Sequence, residues 1–172
     1  YDEHLISYSS KISKDLNKFE INYVMAGRLK RTISIIRKLQ RPKNKGMDLT
    51  RMSDIAGIRI IVETLKDQEK MLNFLQKNYD VEKIYNYVET DQDYKSIHLI
   101  IKENTQKLIE VQIRTLAQQT WADESEEFGE QAKQGFMKDE VGKYLSLLSN
   151  LMYRIDKGEE IEQNKIDNHL LD

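Results

Sequence analysis

Asp54-Ile55-Ala56-Gly57-Ile58-Arg59-Ile60-Ile61-Val62 is a β-branched run opened by a glycine and broken by a single arginine. Ile58 to Val62 predicts a buried central strand, because β-branched side chains pack well on a pleated surface. An acid and a guanidinium are carried into a segment where an unpaired charge is costly, so Asp54 and Arg59 each require a partner.

Working outward, Leu5, Ile6, Ile12, Leu16 and Phe19 are spaced for an amphipathic helix over 2–20, and Tyr23 to Met25 reads as a short strand. Leu29, Thr32, Ile33, Ile36 and Leu39 recur at threes and fours, predicting a second helix from Arg28 to Leu39 that stops near Pro42. A basic Lys/Asn/Gly stretch follows, to Asp48. After the central strand come a helix at 66–78, an imperfect strand at 81–88 and a polar segment at 89–93. Apolar strands at 96–101 and 107–113 read as a hairpin, and helices are expected at 116–131 and 141–157. The prediction is an α+β domain with a mixed, mainly antiparallel sheet flanked by helices, a single unit over 1–172.

The chain has 172 residues, 39% hydrophobic and 33% charged, with no cysteine and only His4, His98 and His169 as histidines. No apolar run approaches the roughly 18 residues of a membrane span, and no secretory leader is legible, so a soluble, cytoplasmic protein is expected. Scattered histidines exclude a structural zinc site, leaving carboxylates for a hard cation such as Mg2+. Formal net charge is only -2, yet Arg28, Lys30, Arg31, Arg37, Lys38, Arg41, Lys43, Lys45 and Arg51 stand against the one acid Asp48. Such a field suits a polyanion; the same run also fits a solvated helix face.

No glycine-rich phosphate loop is present, so any polyphosphate must be held by side chains. Lys30, Ser34 and Lys38 lie four apart and would share roughly one helical face. Glu110-Val111-Gln112-Ile113-Arg114 repeats the acid-then-arginine arrangement, with period-two spacing putting Glu110, Gln112 and Arg114 on one face. Asp54 and Glu110 on neighbouring strands could share a magnesium ion; structural ion pairs to Arg59 and Arg114 are the alternative. Tyr94 ends a polar loop, where its ring could stand free for a base, with His98 along the sheet.

The ordered set Gly27-Arg28-x-Lys30-x-x-x-Ser34-x-x-x-Lys38, Asp54-Ile55-x-Gly57-x-Arg59, Tyr94-x-Ser96-Ile97-His98, Glu110-x-Gln112-Ile113-Arg114-Thr115 and Trp121-Ala122 resembles the RelA/SpoT synthetase domain, especially its small forms. The motifs fall within 27–123. The resemblance implies a nucleotidyltransferase-like fold and transfer of the β,γ-pyrophosphate of ATP to a ribose 3′-hydroxyl. It further implies that Arg28 and Arg59 sandwich the adenine and that Lys30, Ser34 and Lys38 hold the phosphates. Asp54 and Glu110 would bind Mg2+, and Tyr94 would stack on the acceptor base, with His98, Gln112 and Arg114 beside it. Catalysis would fall to Asp54, Glu110 and Tyr94, with Glu110 drawing the proton from the hydroxyl.

Members acting on guanosine nucleotides carry a Pro-Lys pair before the stacking tyrosine, and an acid-His followed by Tyr-Lys after Trp-Ala. Here those places hold Tyr87-Val88-Glu89-Thr90-Asp91-Gln92-Asp93 and Asp123-Glu124-Ser125-Glu126-Glu127-Phe128-Gly129. Acids there disfavour an acceptor with a free 5′-polyphosphate. The expected acceptor is therefore the 3′-terminal adenosine of tRNA, as for a translation-inhibiting toxin, with Arg41, Lys43 and Lys45 on the RNA backbone and an antitoxin as a further partner. GDP or GTP, giving an alarmone, is the alternative acceptor; a non-catalytic nucleotide- or partner-binding module is the second alternative.

Overall fold

The central strand pairs on both sides, and its partners explain the whole sheet. In the computed structural model, which describes residues 2–30, 32–40, 46, 52, 54–102, 108–133 and 138–160, the elements run α1 Asp2–Leu16, β1 Tyr23–Leu29, α2 Thr32–Leu39, β2 Ala56–Val62, α3 Leu65–Asn78, β3 Val81–Asn86, β4 Ile97–Lys102, β5 Leu108–Thr115, α4 Leu116–Lys133 and α5 Lys138–Asp156. The sheet order is β1-β2-β5-β4-β3. Only the β2–β5 pairing is parallel; β1–β2, β5–β4 and β4–β3 are antiparallel. The expected mixed, mainly antiparallel sheet with flanking helices is what forms.

Strand β2 alternates strictly: Ala56, Ile58, Ile60 and Val62 are buried, while Gly57, Arg59 and Ile61 are half-exposed on the other face. The buried face meets Leu99, Ile101, Ile109, Val111 and Ile113 of the neighbouring strands, together with Leu5, Tyr8, Ile12 and Leu16 of α1 and Met71 and Leu75 of α3. At Gly27 the approach of α1 is close: a Cβ there would lie 3.2 Å from Ser9 Oγ and 3.4 Å from Leu5 Cγ.

Local chemistry fixes the helix starts. Thr64 caps α3 by accepting the Asp67 amide at 3.1 Å. Thr115 and Gln118 form a reciprocal box at α4: Thr115 Oγ1 accepts from the Gln118 amide at 3.1 Å, and Gln118 Oε1 accepts from the Thr115 amide at 3.3 Å. The buried Gln68 of α3 donates to Ile113 O and Gln118 Oε1, linking β5 to both helices.

One expectation is corrected. Arg28 does not begin a helix; it is the sixth residue of β1, opposite Gly57, and Lys30 continues the ladder with its amide on Ile55 O at 2.8 Å. The helix α2 starts at Thr32, so only Ser34 and Lys38 of the proposed helical series lie on it. The helical spacing of Leu29 to Leu39 is real, but pairing with β2 overrides it at the N-terminal end. Arg41, Lys43 and Lys45 lie outside the described residues. Among the described residues no helix is long and apolar enough to cross a membrane.

Candidate active site

Register places the polar residues. Across the face opposite the core, Arg28 is level with Gly57 and Glu110, and Arg59 is level with Gln112, which faces His98. Arg114 is two residues further along β5, on the same face. Four strands thus bring Arg28, Arg59, Glu110, Gln112, Arg114 and His98 onto one surface. The parallel β2–β5 pair is decisive, because it sets Glu110 level with Gly57, three residues after Asp54.

Two cavities open on this surface, and Arg28 lines both. One, of about 230 Å3, is lined by Arg28, Lys30, Asp54, Gly57, His98, Glu110 and Gln112. The other, of about 290 Å3, is lined by Arg28, Arg59, Tyr94, Arg114 and Trp121 together with residues of α4, Asp123 and Glu126 among them.

In the first cavity Asp54 Oδ2 accepts from Lys30 Nζ and, at 2.8 Å, from Lys38 Nζ. Burial pushes the Asp54 pKa up, but these two ammonium groups outweigh it and hold the carboxyl below its ordinary value. Its other oxygen, Oδ1, is buried with no hydrogen-bond partner among the described residues. Glu110 behaves alike: burial raises its pKa, while His98 and Gln112 outweigh that and lower it, for a net depression that the nearby charge of Asp54 opposes. Its Oε1 lies 3.0 Å from His98 Nδ1 and its Oε2 accepts from Gln112 Nε2 at 2.8 Å. The alternative of structural pairs to Arg59 and Arg114 is not what forms.

Two carboxylates on one cavity, one with an orphaned buried oxygen, fit a hard cation that takes its remaining ligands from phosphate oxygens and water. Among the described residues no cluster of three or more His, Asp or Glu offers an all-protein cage.

In the second cavity, burial presses the Arg59 pKa down, and the charges of Arg114 and Arg28 press it further, with Asp123 and Glu126 opposing. The Nε atoms of Arg59 and Arg114 are buried without partners among the described residues. Such a crowd of guanidinium groups is suited to an anion or a π-face.

Tyr94 does not stand free as expected. Its ring packs edge-on against His98, Trp121 and Tyr87, with the Arg114 guanidinium 5.3 Å from its centroid. Its hydroxyl accepts from Arg114 Nη2 at 2.8 Å and lies 2.6 Å from His98 Nε2. Arg114, only 5% exposed, also donates to Gln119 Oε1 at 3.0 Å, and Gln119 donates to Asp123 Oδ1 at 2.6 Å. Ser34 lines neither cavity.

Sequence reading passed over Gln119 and Tyr87. The available signal for Gln119 was its i,i+4 relation to Asp123 on the helix that leaves β5; for Tyr87 there was none beyond its place in the loop.

Side-chain cations and two carboxylates gather on one cavity at this face, in a chain without a glycine-rich phosphate loop. The family model described as a region found in RelA / SpoT proteins matches residues 27–134, and the chain belongs to that family. It is 34% identical over 127 residues to the GTP pyrophosphokinase rsh of Brucella melitensis, covering 69% of this chain and 16% of that protein. To the GTP pyrophosphokinase YjbM of Bacillus subtilis it is 32% identical over 109 residues, covering 57% of this chain and 52% of that protein. The chain therefore spans only part of the length of these curated relatives. Its fold is that of the small alarmone synthetase 1 of Bacillus subtilis, with a TM-score of 0.77 at 24% identity, covering 99% of this chain and 94% of that one.

Proposed function

We propose that this chain is a pyrophosphokinase that moves the β,γ-pyrophosphate of ATP to a ribose 3′-hydroxyl. The observation that carries the reading is the convergence of Asp54 and Glu110 on one cavity with Arg28 and Lys30, one Asp54 oxygen having no partner among the described residues. The curated relatives are named for GTP, so a guanine nucleotide is the first acceptor.

Arg28 and Arg59 would flank the adenine, guanidinium planes stacking well on a purine. Lys30 and Lys38 now neutralise Asp54; a polyphosphate would draw both away and leave that carboxylate available. Asp54 and Glu110 would hold Mg2+, which supplies neutralisation of charge on the phosphate oxygens. The 3′-oxygen bonds the β-phosphorus, the bond from that phosphorus to the α,β-bridging oxygen breaks, and AMP leaves. The hydroxyl proton passes to Glu110. A carboxylate of depressed pKa is a weak base, which suffices where the transition state is loose and the proton leaves late.

A second acceptor is favoured by one observation: Asp123 and Glu126 line the cavity beside Tyr94, a poor setting for a free 5′-polyphosphate. The 3′-terminal adenosine of tRNA meets that condition, and an enzyme of this kind would be a toxin held by an antitoxin. Incubation with ATP labelled in the γ-phosphate and GDP, GTP or deacylated tRNA, each alone, separates the readings. Label in guanosine products supports the first acceptor and label in tRNA the second. No label in any acceptor would leave only a binding module.

A further inference from the structure

Five side chains close a hydrogen-bonded ring on the functional face. Arg114 Nη2 donates to the Tyr94 hydroxyl at 2.8 Å and to Gln112 Oε1 at 3.2 Å. Gln112 Nε2 donates to Glu110 Oε2 at 2.8 Å. The circuit is completed by His98, with Nε2 2.6 Å from the Tyr94 oxygen and Nδ1 3.0 Å from Glu110 Oε1.

Donor counting gives the ring a direction. A guanidinium only donates, so the Tyr94 oxygen is an acceptor toward Arg114 and its single hydrogen is left for His98 Nε2. In the neutral imidazole Nε2 then accepts, Nδ1 carries the hydrogen, and Nδ1–H donates to Glu110. Both arms of the ring run from Arg114 to Glu110. A proton gained by Glu110 cannot leave through this circuit, because Nδ1 is already occupied and the far end is a group that accepts none. The ring therefore holds the carboxylate and does not drain it.

His98 is the one member of the ring that touches both Tyr94 and Glu110. Strand register fixes its place opposite Gln112, its side chain is 13% exposed, and the Tyr87 and Tyr94 rings pack edge-on against it. We propose that His98 is a positioning residue with two separable duties: Nδ1 aims Glu110 at the attacking hydroxyl, and Nε2 anchors the Tyr94 ring for the acceptor base. The inference rests on the transfer reading above and adds to it a link between acceptor binding and the proton-accepting group.

Steady-state constants for both substrates test it in His98→Ala, His98→Asn and His98→Gln, since the asparagine amide reaches the Nδ1 position and the longer glutamine amide reaches Nε2. His98→Ala should lower kcat roughly tenfold to a hundredfold, the scale of a lost hydrogen bond to a charged group, with ATP KM moving less than about twofold. His98→Asn should recover most of kcat and leave acceptor KM raised; His98→Gln should do the reverse. Tyr94→Phe, which keeps the ring and removes the anchor, should raise acceptor KM. If Asn and Gln are no better than Ala in either constant, or if Tyr94→Phe leaves acceptor KM unchanged, the assignment to His98 is overturned while the transfer reading stands. A wild-type protein that labels no acceptor overturns both.

Discussion

At the scale of residues, Arg59 and Tyr94 line one cavity yet would serve different substrates, so their losses should separate. Arg59→Ala removes a desolvated guanidinium, worth about 2 kcal/mol against an aromatic face, and should weaken binding of a non-hydrolysable ATP analogue roughly thirtyfold. Tyr94→Ala should abolish transfer while calorimetry finds the same analogue bound within about twofold of wild type. Equal effects of the two variants on analogue binding would mean the adenine and acceptor positions are wrongly divided. Arg59, Tyr94 and Glu110 were legible in the sequence because each sits in a motif whose order along the chain is specific. Their partners were not. That Asp54 would bond Lys30 and Lys38 rather than Arg59 depends on β1 lying beside β2, and that Tyr94 would be packed rather than free depends on Trp121 and Arg114 arriving from distant segments.

At the scale of elements, the loop that carries Tyr94 is tied down by the last helix. Ser149 Oγ donates to the Asp93 carbonyl at 2.6 Å, and Ser146 Oγ donates to Asp93 Oδ2 at 2.7 Å, both from α5. Helix α5 is itself fixed to α4 by Trp121 Nε1 on the Leu145 carbonyl at 2.8 Å, and to the end of β5 by Thr115 Oγ1 on Asp156 Oδ2 at 2.7 Å. Ser149 is 5% exposed, and Ser149→Ala removes its hydrogen bond to the Asp93 carbonyl, which should cost about 0.5–1.5 kcal/mol of stability. The accompanying effect should be a raised acceptor KM with ATP affinity unchanged, since only the Tyr94 loop is loosened; a raised ATP KM of equal size would show that α5 supports the whole face. Helix periodicity gave away α1, α3, α4 and α5 to within a few residues. Arg28 was misplaced because its strand identity comes from a partner twenty-nine residues on, Gly57, which no local spacing reports.

At the scale of the whole molecule, one face of the sheet is the core and the other is the site, and the second is electrostatically loaded. Asp54 and Glu110 are both held below the ordinary carboxylate range. A group whose folded pKa is depressed contributes stability above its unfolded value and loses it as pH falls through the folded one. Metal- and nucleotide-free protein should therefore lose stability progressively below about pH 4. Asp156, raised by burial, acts in the opposite sense. The difference between wild type and Asp54→Asn isolates one contribution: the variant should show a shallower fall in melting temperature over that range, and parallel curves would contradict the assigned pairing with Lys30 and Lys38. The mixed sheet was legible from alternation and β-branched runs, whereas its order, with β5 between β2 and β4, was set by packing that sequence pattern does not encode.

The most direct test of the central claim is the fate of ATP labelled in both the α- and γ-phosphates, followed with each acceptor present. Pyrophosphate transfer requires α-label to appear as AMP in step with γ-label on the acceptor, one for one, and Glu110→Gln should suppress both together. α-Label appearing as ADP, or γ-label released as free phosphate or pyrophosphate with every acceptor unlabelled, would contradict it.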